Sequence, residues 1–155
     1  MSFRIRALPA TEFAALFDLD DEALAARHGR RVVVDCSPGF PCRVSLADAE
    51  VGETVLLVNF THHDVATPYR ASHAIFVREG AERATLAQGE VPAALARRLL
   101  SFRAFDAKGD MVAAEVADGR DFSDAVRRLF ADPGVEFLHA HNAGPGCYAC
   151  RVDRF

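Results

Sequence analysis

A chain of 155 residues, half apolar and about a quarter charged, has the size and balance of one soluble globular domain that buries its core without staples. A net charge of −4, with acids dispersed among bases, excludes a nucleic-acid surface, and no apolar run is long enough for a signal peptide or a bilayer span. A cytoplasmic protein with reduced cysteines and no membrane partner is therefore expected.

Residues 3–8 alternate in polarity and predict a short strand. Pro9 leads into a helical segment with Phe13, Leu16 and Phe17 on one face. A second short helix follows Asp20, with acids in its first turn, Leu24 inward and Gly29 as its stop. Arg31 to Asp35 is apolar and β-branched, hence a strand, and runs into Cys36-Ser37-Pro38-Gly39-Phe40-Pro41, a loop stiffened by two prolines and a glycine. Cys42 to Leu46 emerges from that loop. After a turn at Gly52, Thr54 to Phe60 reads as the strongest buried strand. Thr61 to Arg70 is polar and holds Pro68, which predicts a loop with His62-His63-Asp64 solvated in it. Ser72 to Val77 returns as a strand, and a weaker extended piece follows at Ala84 to Leu86.

Pro92 starts a third helix, with Val91, Leu95 and Leu99 spaced for one face. Residues 100–106 and 111–118 flank a Lys108-Gly109 turn as a hairpin. Asp121 caps a fourth helix whose inner face is Phe122, Val126, Leu129 and Phe130, stopped by Asp132-Pro133-Gly134. Residues 135–141 and 148–153 are two strands joined by a Gly144-Pro145-Gly146 turn. Short connections between neighbouring strands, with helices breaking in irregularly, give an α+β fold: one domain over residues 1–155, mainly antiparallel sheet with about three or four short helices packed on it.

The commonest signatures of nucleotide binding, serine hydrolysis and zinc proteolysis are absent, and Lys108, the sole lysine, sits in a turn. No Schiff-base or phosphate-loop lysine is available. Chemistry-bearing residues concentrate instead between His139 and Cys150, around the Gly-Pro-Gly turn. Strand alternation puts Val135, Phe137, His139 and His141 on one side. The two histidines read either as metal ligands or acid–base groups, or as locally hydrogen-bonded residues at a strand end. Cys147-Tyr148-Ala149-Cys150 matches C-x-x-C formally, but a strand points its two sulfurs to opposite faces. Cys147 is then the site candidate and Cys150 a small core residue. Arg43 and Arg70 flank proline-bearing loops and suit either a bidentate clamp for carboxylate or phosphate or a surface ion pair. His73 opens a strand near Arg70, as a general base or as an anchor to a backbone carbonyl. Cys36 and Cys42 flank the other Pro-Gly loop.

Pro38-Gly39-Phe40-Pro41-Cys42-Arg43-Val44-Ser45-Leu46, residues 68–77 from Pro68-Tyr69-Arg70 to Phe76-Val77, and residues 139–149 resemble the bacterial domain-of-unknown-function family 1203 along the whole chain. The resemblance implies a small single-domain bacterial protein and confers no mechanism. It also implies that Cys42 and Cys147 belong to the family pattern, whereas Cys36 and Cys150 stand outside it.

Three readings remain open. In the first, the Cys42-Arg43, Arg70/His73 and His139–Cys147 segments converge on a pocket for a small anionic metabolite. Arg43 and Arg70 clamp the anion, His139, Asn142 and Tyr148 add ligand contacts, His73 or His141 moves a proton, and Cys42 or Cys147 is a nucleophile. In the second, Cys42, His139, His141 and Cys147 hold structural zinc, the one cofactor the residues suggest. In the third, the chain is a non-catalytic interaction module. If the histidines share a pocket with Arg43 and Arg70, at least one titrates below the reference of about 6.5.

Overall fold

The computed structural model describes residues 2–155. Its strands are β1 (Phe3–Arg6), β2 (Gly29–Val33), β3 (Thr54–His63), β4 (Ala71–Arg78), β5 (Leu99–Phe105), β6 (Met111–Asp118), β7 (Phe137–Asn142) and β8 (Tyr148–Arg154). The helices are α1 (Asp21–Ala26), α2 (Ala93–Ala96) and α3 (Phe122–Leu129). One sheet of five strands has the order β1-β8-β7-β5-β6; a second, of three, runs β2-β3-β4. Both are antiparallel throughout. This is the α+β arrangement expected, with the strands divided between two sheets. Among the described residues, no helix is long and apolar enough to cross a membrane.

The larger sheet has two differently used faces. On one, α3 lays down Phe122, Ala125, Val126 and Leu129, a stripe at helical spacing, against Phe102 of β5 and Leu138 and Ala140 of β7. Phe102 and Phe122 meet edge to face, with ring centroids 5.0 Å apart. The smaller sheet buries Leu56, Val58, Ile75 and Val77 with Phe13 and Leu24, and Tyr148 of β8 joins this second core from the larger sheet. The far end of β3 reaches the remaining face of the larger sheet, and that overlap builds the site.

Several local expectations fail for identifiable reasons. The segment after Pro9 forms two short 3-10 turns, Ala10–Glu12 and Ala14–Asp18, not an α-helix. Leu99 begins β5 and does not extend the helix after Pro92, which is only four residues long. Residues 42–46 and 84–86 form no strand; Cys42 makes one isolated bridge to Phe76. Asp121 precedes α3 without a side-chain cap bond, and Asp118 caps the 3-10 turn Gly119–Asp121 instead. Most consequentially, β3 does not stop at Phe60. It continues through Thr61 and His62 to His63, where predicted loop becomes paired strand. The helix start at Asp20 holds: its carboxylate accepts from the Ala23 amide at 2.8 Å. Asp20→Ala should therefore lower stability by about 1 kcal/mol in urea titration, while Asp20→Ser leaves it nearly unchanged.

Candidate functional site

Two chemically distinct regions flank the β7–β8 turn. Consecutive strand residues face opposite ways, so His141 turns toward the end of β3 while Asn142 turns toward the Pro38–Pro41 loop.

On the Asn142 side is an open cleft of about 480 Å³, lined by Pro41, Arg43, His73, Arg98, Asn142 and Cys147 together with apolar residues including Leu57, Phe76 and Leu99. Cys147 lies at its wall, 8% exposed. Its sulfur accepts from Arg43 Nη2 at 3.0 Å and from Asn142 Nδ2 at 3.4 Å. Arg43 is 2% exposed and carries no carboxylate partner among the described residues. Its Nε donates to Tyr148 O at 2.7 Å and its Nη1 to Pro41 O. Burial lowers the guanidinium's proton affinity, and Cys147 is the strongest opposing influence. Arg98, at the other wall, is held by Asp48 at 3.0 Å.

On the His141 side, four histidines crowd one face of the larger sheet. The register of β3 against β4 passes from Thr61–Ser72 to His63–Ala71, which leaves His62 as the extra residue of a bulge. A bulge breaks the alternation of side chains, and here both His62 and His63 reach the larger sheet. His62 stacks on Tyr148, with centroids 5.3 Å apart and planes at 12°. Its ring also meets His141 at 4.9 Å and His139 at 6.0 Å. His63, 3% exposed, is bound through Nε2 to Gly109 O at 2.8 Å and packs on Phe105. One ring nitrogen from each of His62, His139 and His141 lies within 4.8 Å of the others.

The family model described as a protein of unknown function (DUF1203) matches residues 39–154. The chain belongs to this family. The match takes in the cleft, the histidine cluster and the whole larger sheet except β1. No curated protein and no solved structure matches the chain.

In this DUF1203 protein the residues singled out from sequence divide into three groups. Arg43, His73, Asn142 and Cys147 share the cleft. His139, His141 and Tyr148 belong to the histidine cluster, where His139 is 3% and His141 0% exposed. Cys42 and Arg70 join neither. Cys42 faces the second core and its sulfur accepts from the amides of Ser45 and Arg78 at 3.4 and 3.3 Å. Arg70 is solvent-exposed and ion-paired to Asp64 at 2.9 Å. The proposed clamp of two arginines is thus not assembled, nor is the four-residue zinc set. His73 binds Ala74 O through Nδ1 and Pro145 O through Nε2, at 3.0 and 3.1 Å, and so fastens β4 to the turn. Both sulfurs of the C-x-x-C stretch are free, and they occupy different environments, Cys147 at the cleft and Cys150 in the first core.

The histidines do titrate low, but the leading cause is burial and not Arg43 or Arg70. Burial pushes His139 down to about 2, with His141, His63, His62 and Arg151 adding to it. It pushes His141 to about 3 against the raising effect of its hydrogen bond to Gly146 O, with Arg103 the foremost charge. His62 falls to about 4 by burial and then Arg103. Burial also raises the Tyr148 phenol well above its usual range and the Cys150 thiol to about 12. Sequence reasoning missed His62, His63 and Arg103. The available signal was that the apolar β3 run ends directly on a His-His pair, and that Arg103 alternates with core residues Phe102 and Ala104.

Proposed function

We propose that the cleft binds a small molecule with an apolar body and one anionic group, and that Cys147 is the reactive side chain meeting it. The observation carrying this reading is Arg43: a buried guanidinium with carbonyl and sulfur partners and no acid. A buried charge is costly unless compensated. Negative charge arriving in the cleft, beside a guanidinium that still has N–H groups to spare, supplies that compensation. Arg98 is already committed to Asp48, so Arg43 is the cation left for a ligand. The volume suits a small metabolite, and Pro41, Leu57, Phe76 and Leu99 suit its apolar part. Four free thiols fit the reducing interior of a bacterial cell, where a cleft thiol stays available.

Brief iodoacetamide treatment of the native protein, followed by peptide mapping, tests this. Cys36, which is exposed, and Cys147 should label, while Cys42 and Cys150 are spared. Hexanoate should protect Cys147 without protecting Cys36, and Arg43→Met should abolish that protection. A Cys147 that labels no faster than Cys150, or whose labelling carboxylates of any chain length leave unchanged, contradicts the proposal.

A further inference from the structure

The histidine cluster holds buried nitrogens that its packing does not explain. His62 Nδ1, His139 Nδ1 and His141 Nε2 have no hydrogen-bond partner among the described residues. A core that used these rings only as aromatic filler would leave such atoms on separate surfaces or satisfy them with carbonyls, as it does for His63 through Gly109. Here each of three neighbouring rings retains one. His141 shows how the arrangement is fixed. Its Nδ1 stands 3.0 Å from Gly146 O, a group that only accepts, so Nδ1 carries the proton and Nε2 keeps its lone pair. A backbone carbonyl behind an imidazole is the usual device for orienting a ligating histidine.

We propose that His62, His139 and His141 form a three-histidine site for a zinc-type divalent ion, with a fourth coordination position open to a small oxyanion or hydroxide. Three neutral imidazoles, with no carboxylate among them, select late first-row dications over Mg²⁺ or Ca²⁺, which take oxygen ligands. Three protein ligands leave zinc one position short of tetrahedral, the pattern of a reactive site and not of a closed structural one. Nitrogens around a tetrahedral zinc are about 3.4 Å apart, so the set, now within 4.8 Å, must draw in slightly. His62, carried on the β3 bulge and only partly buried, is the ring placed to close it.

Arg103 explains why an anion is part of the site. Its Cα pairs with His139 across β5–β7, and it is the foremost charge acting on His62 and His141. It is half-buried, and its guanidinium has no hydrogen-bond or ion-pair partner among the described residues. A bare dication beside this guanidinium would be repelled. A metal-bound hydroxide or oxyanion lowers the net positive charge of the site and presents an anionic oxygen that accepts from Arg103. The ion lies outside the Cys147 cleft, so this site stands or falls independently of that reading.

The experiment uses the full chain without a histidine tag, treated with chelator and then titrated at pH 7.5 with Zn²⁺ by calorimetry and with Co²⁺ by visible absorption. One ion per chain should bind, the Co²⁺ spectrum should show the intense bands of a tetrahedral nitrogen site, and Mg²⁺ should not compete. His62→Ala, at the accessible edge, should weaken binding by about 100-fold or more while circular dichroism stays unchanged; His141→Gln should do the same. Cys147→Ser should leave affinity and spectrum as they were. Adding phosphate should perturb the Co²⁺ bands in the parent and not in Arg103→Met. Absence of stoichiometric binding would overturn the site. So would binding that survives His62→Ala and His141→Gln, or a thiolate-to-Co²⁺ charge-transfer band lost in Cys147→Ser.

Discussion

Between pH 7 and pH 5 the metal-free protein should lose about 4 kcal/mol of stability through His139 and His141 alone. Both rings are sealed in the native state, and their folded values, about 2 and about 3, lie far below the unfolded reference of 6.5. Above 6.5 neither state binds a proton at these positions and stability is fully present. As pH falls below 6.5 the unfolded chain takes up protons that the native state refuses, so stability declines steadily toward the folded values. Each ring costs about 1.4 kcal/mol per pH unit in that window. A domain of this size has roughly 5–15 kcal/mol in total, so the two histidines account for a large share of it.

The window separates this effect from ordinary acid denaturation, because exposed carboxylates titrate mainly below pH 5. The charged and titratable groups acting on the pair, His62, His63, His73, Arg103 and Arg151, all act in the same direction, against the added charge. Urea midpoints followed by circular dichroism at pH 7, 6 and 5 give the measurement. The midpoint should fall by about 2 M urea for an m-value of about 2 kcal/mol/M, and the His139→Leu, His141→Leu double variant should flatten the slope. A midpoint constant over these two pH units would mean that water reaches both rings.

What the sequence made legible follows from how local each signal is. The β-branched run at Thr54 to Phe60, the hairpin around Lys108-Gly109 and the amphipathic stripe of α3 are set by neighbours within a few residues, and all three appear in the structure. Residues of both the cleft and the histidine cluster lie around the Gly-Pro-Gly turn. Hidden from sequence was the β3 bulge, because one unpaired residue at His62 looks like polar loop when alternation is the guide. That bulge carries His62 and His63 onto β7, more than seventy residues away in sequence. The separation of cleft from cluster was hidden for the opposite reason. Strand alternation already sends His141 and Asn142 to different faces, and treating the whole 139–147 segment as one wall overlooked it. Arg70 and Cys42 sit beside stiff loops as expected, yet the loop's position relative to the sheets decides which residues it delivers, and only Arg43 reaches the cleft.

Gly119→Ala should destabilise the protein by on the order of 3 kcal/mol or more, and should disturb the cleft from a position outside it. Gly119 follows β6 and packs against the end of α2, its amide donating to Arg98 O at 2.7 Å. A methyl group there would stand 2.0 Å from Leu95 O, 2.8 Å from Arg98 O and 2.9 Å from the Ala96 carbonyl carbon. All three are backbone atoms, so no side-chain rotation relieves the overlap, and the end of α2 must move. That end leads directly into Arg98 and Leu99, both in the cleft wall, and Arg98 is the partner of Asp48. Displacing it should open the wall and weaken hexanoate protection of Cys147 even in the fraction that remains folded. Gly144→Ala is the matched control, since it lies in the turn at the cleft and has nothing within 4 Å of its added carbon. It should change stability by less than about 0.5 kcal/mol. Urea titration of the two variants, with iodoacetamide labelling of each, decides the matter: if Gly119→Ala matches Gly144→Ala in stability, the close approach of α2 to this glycine does not position the cleft wall.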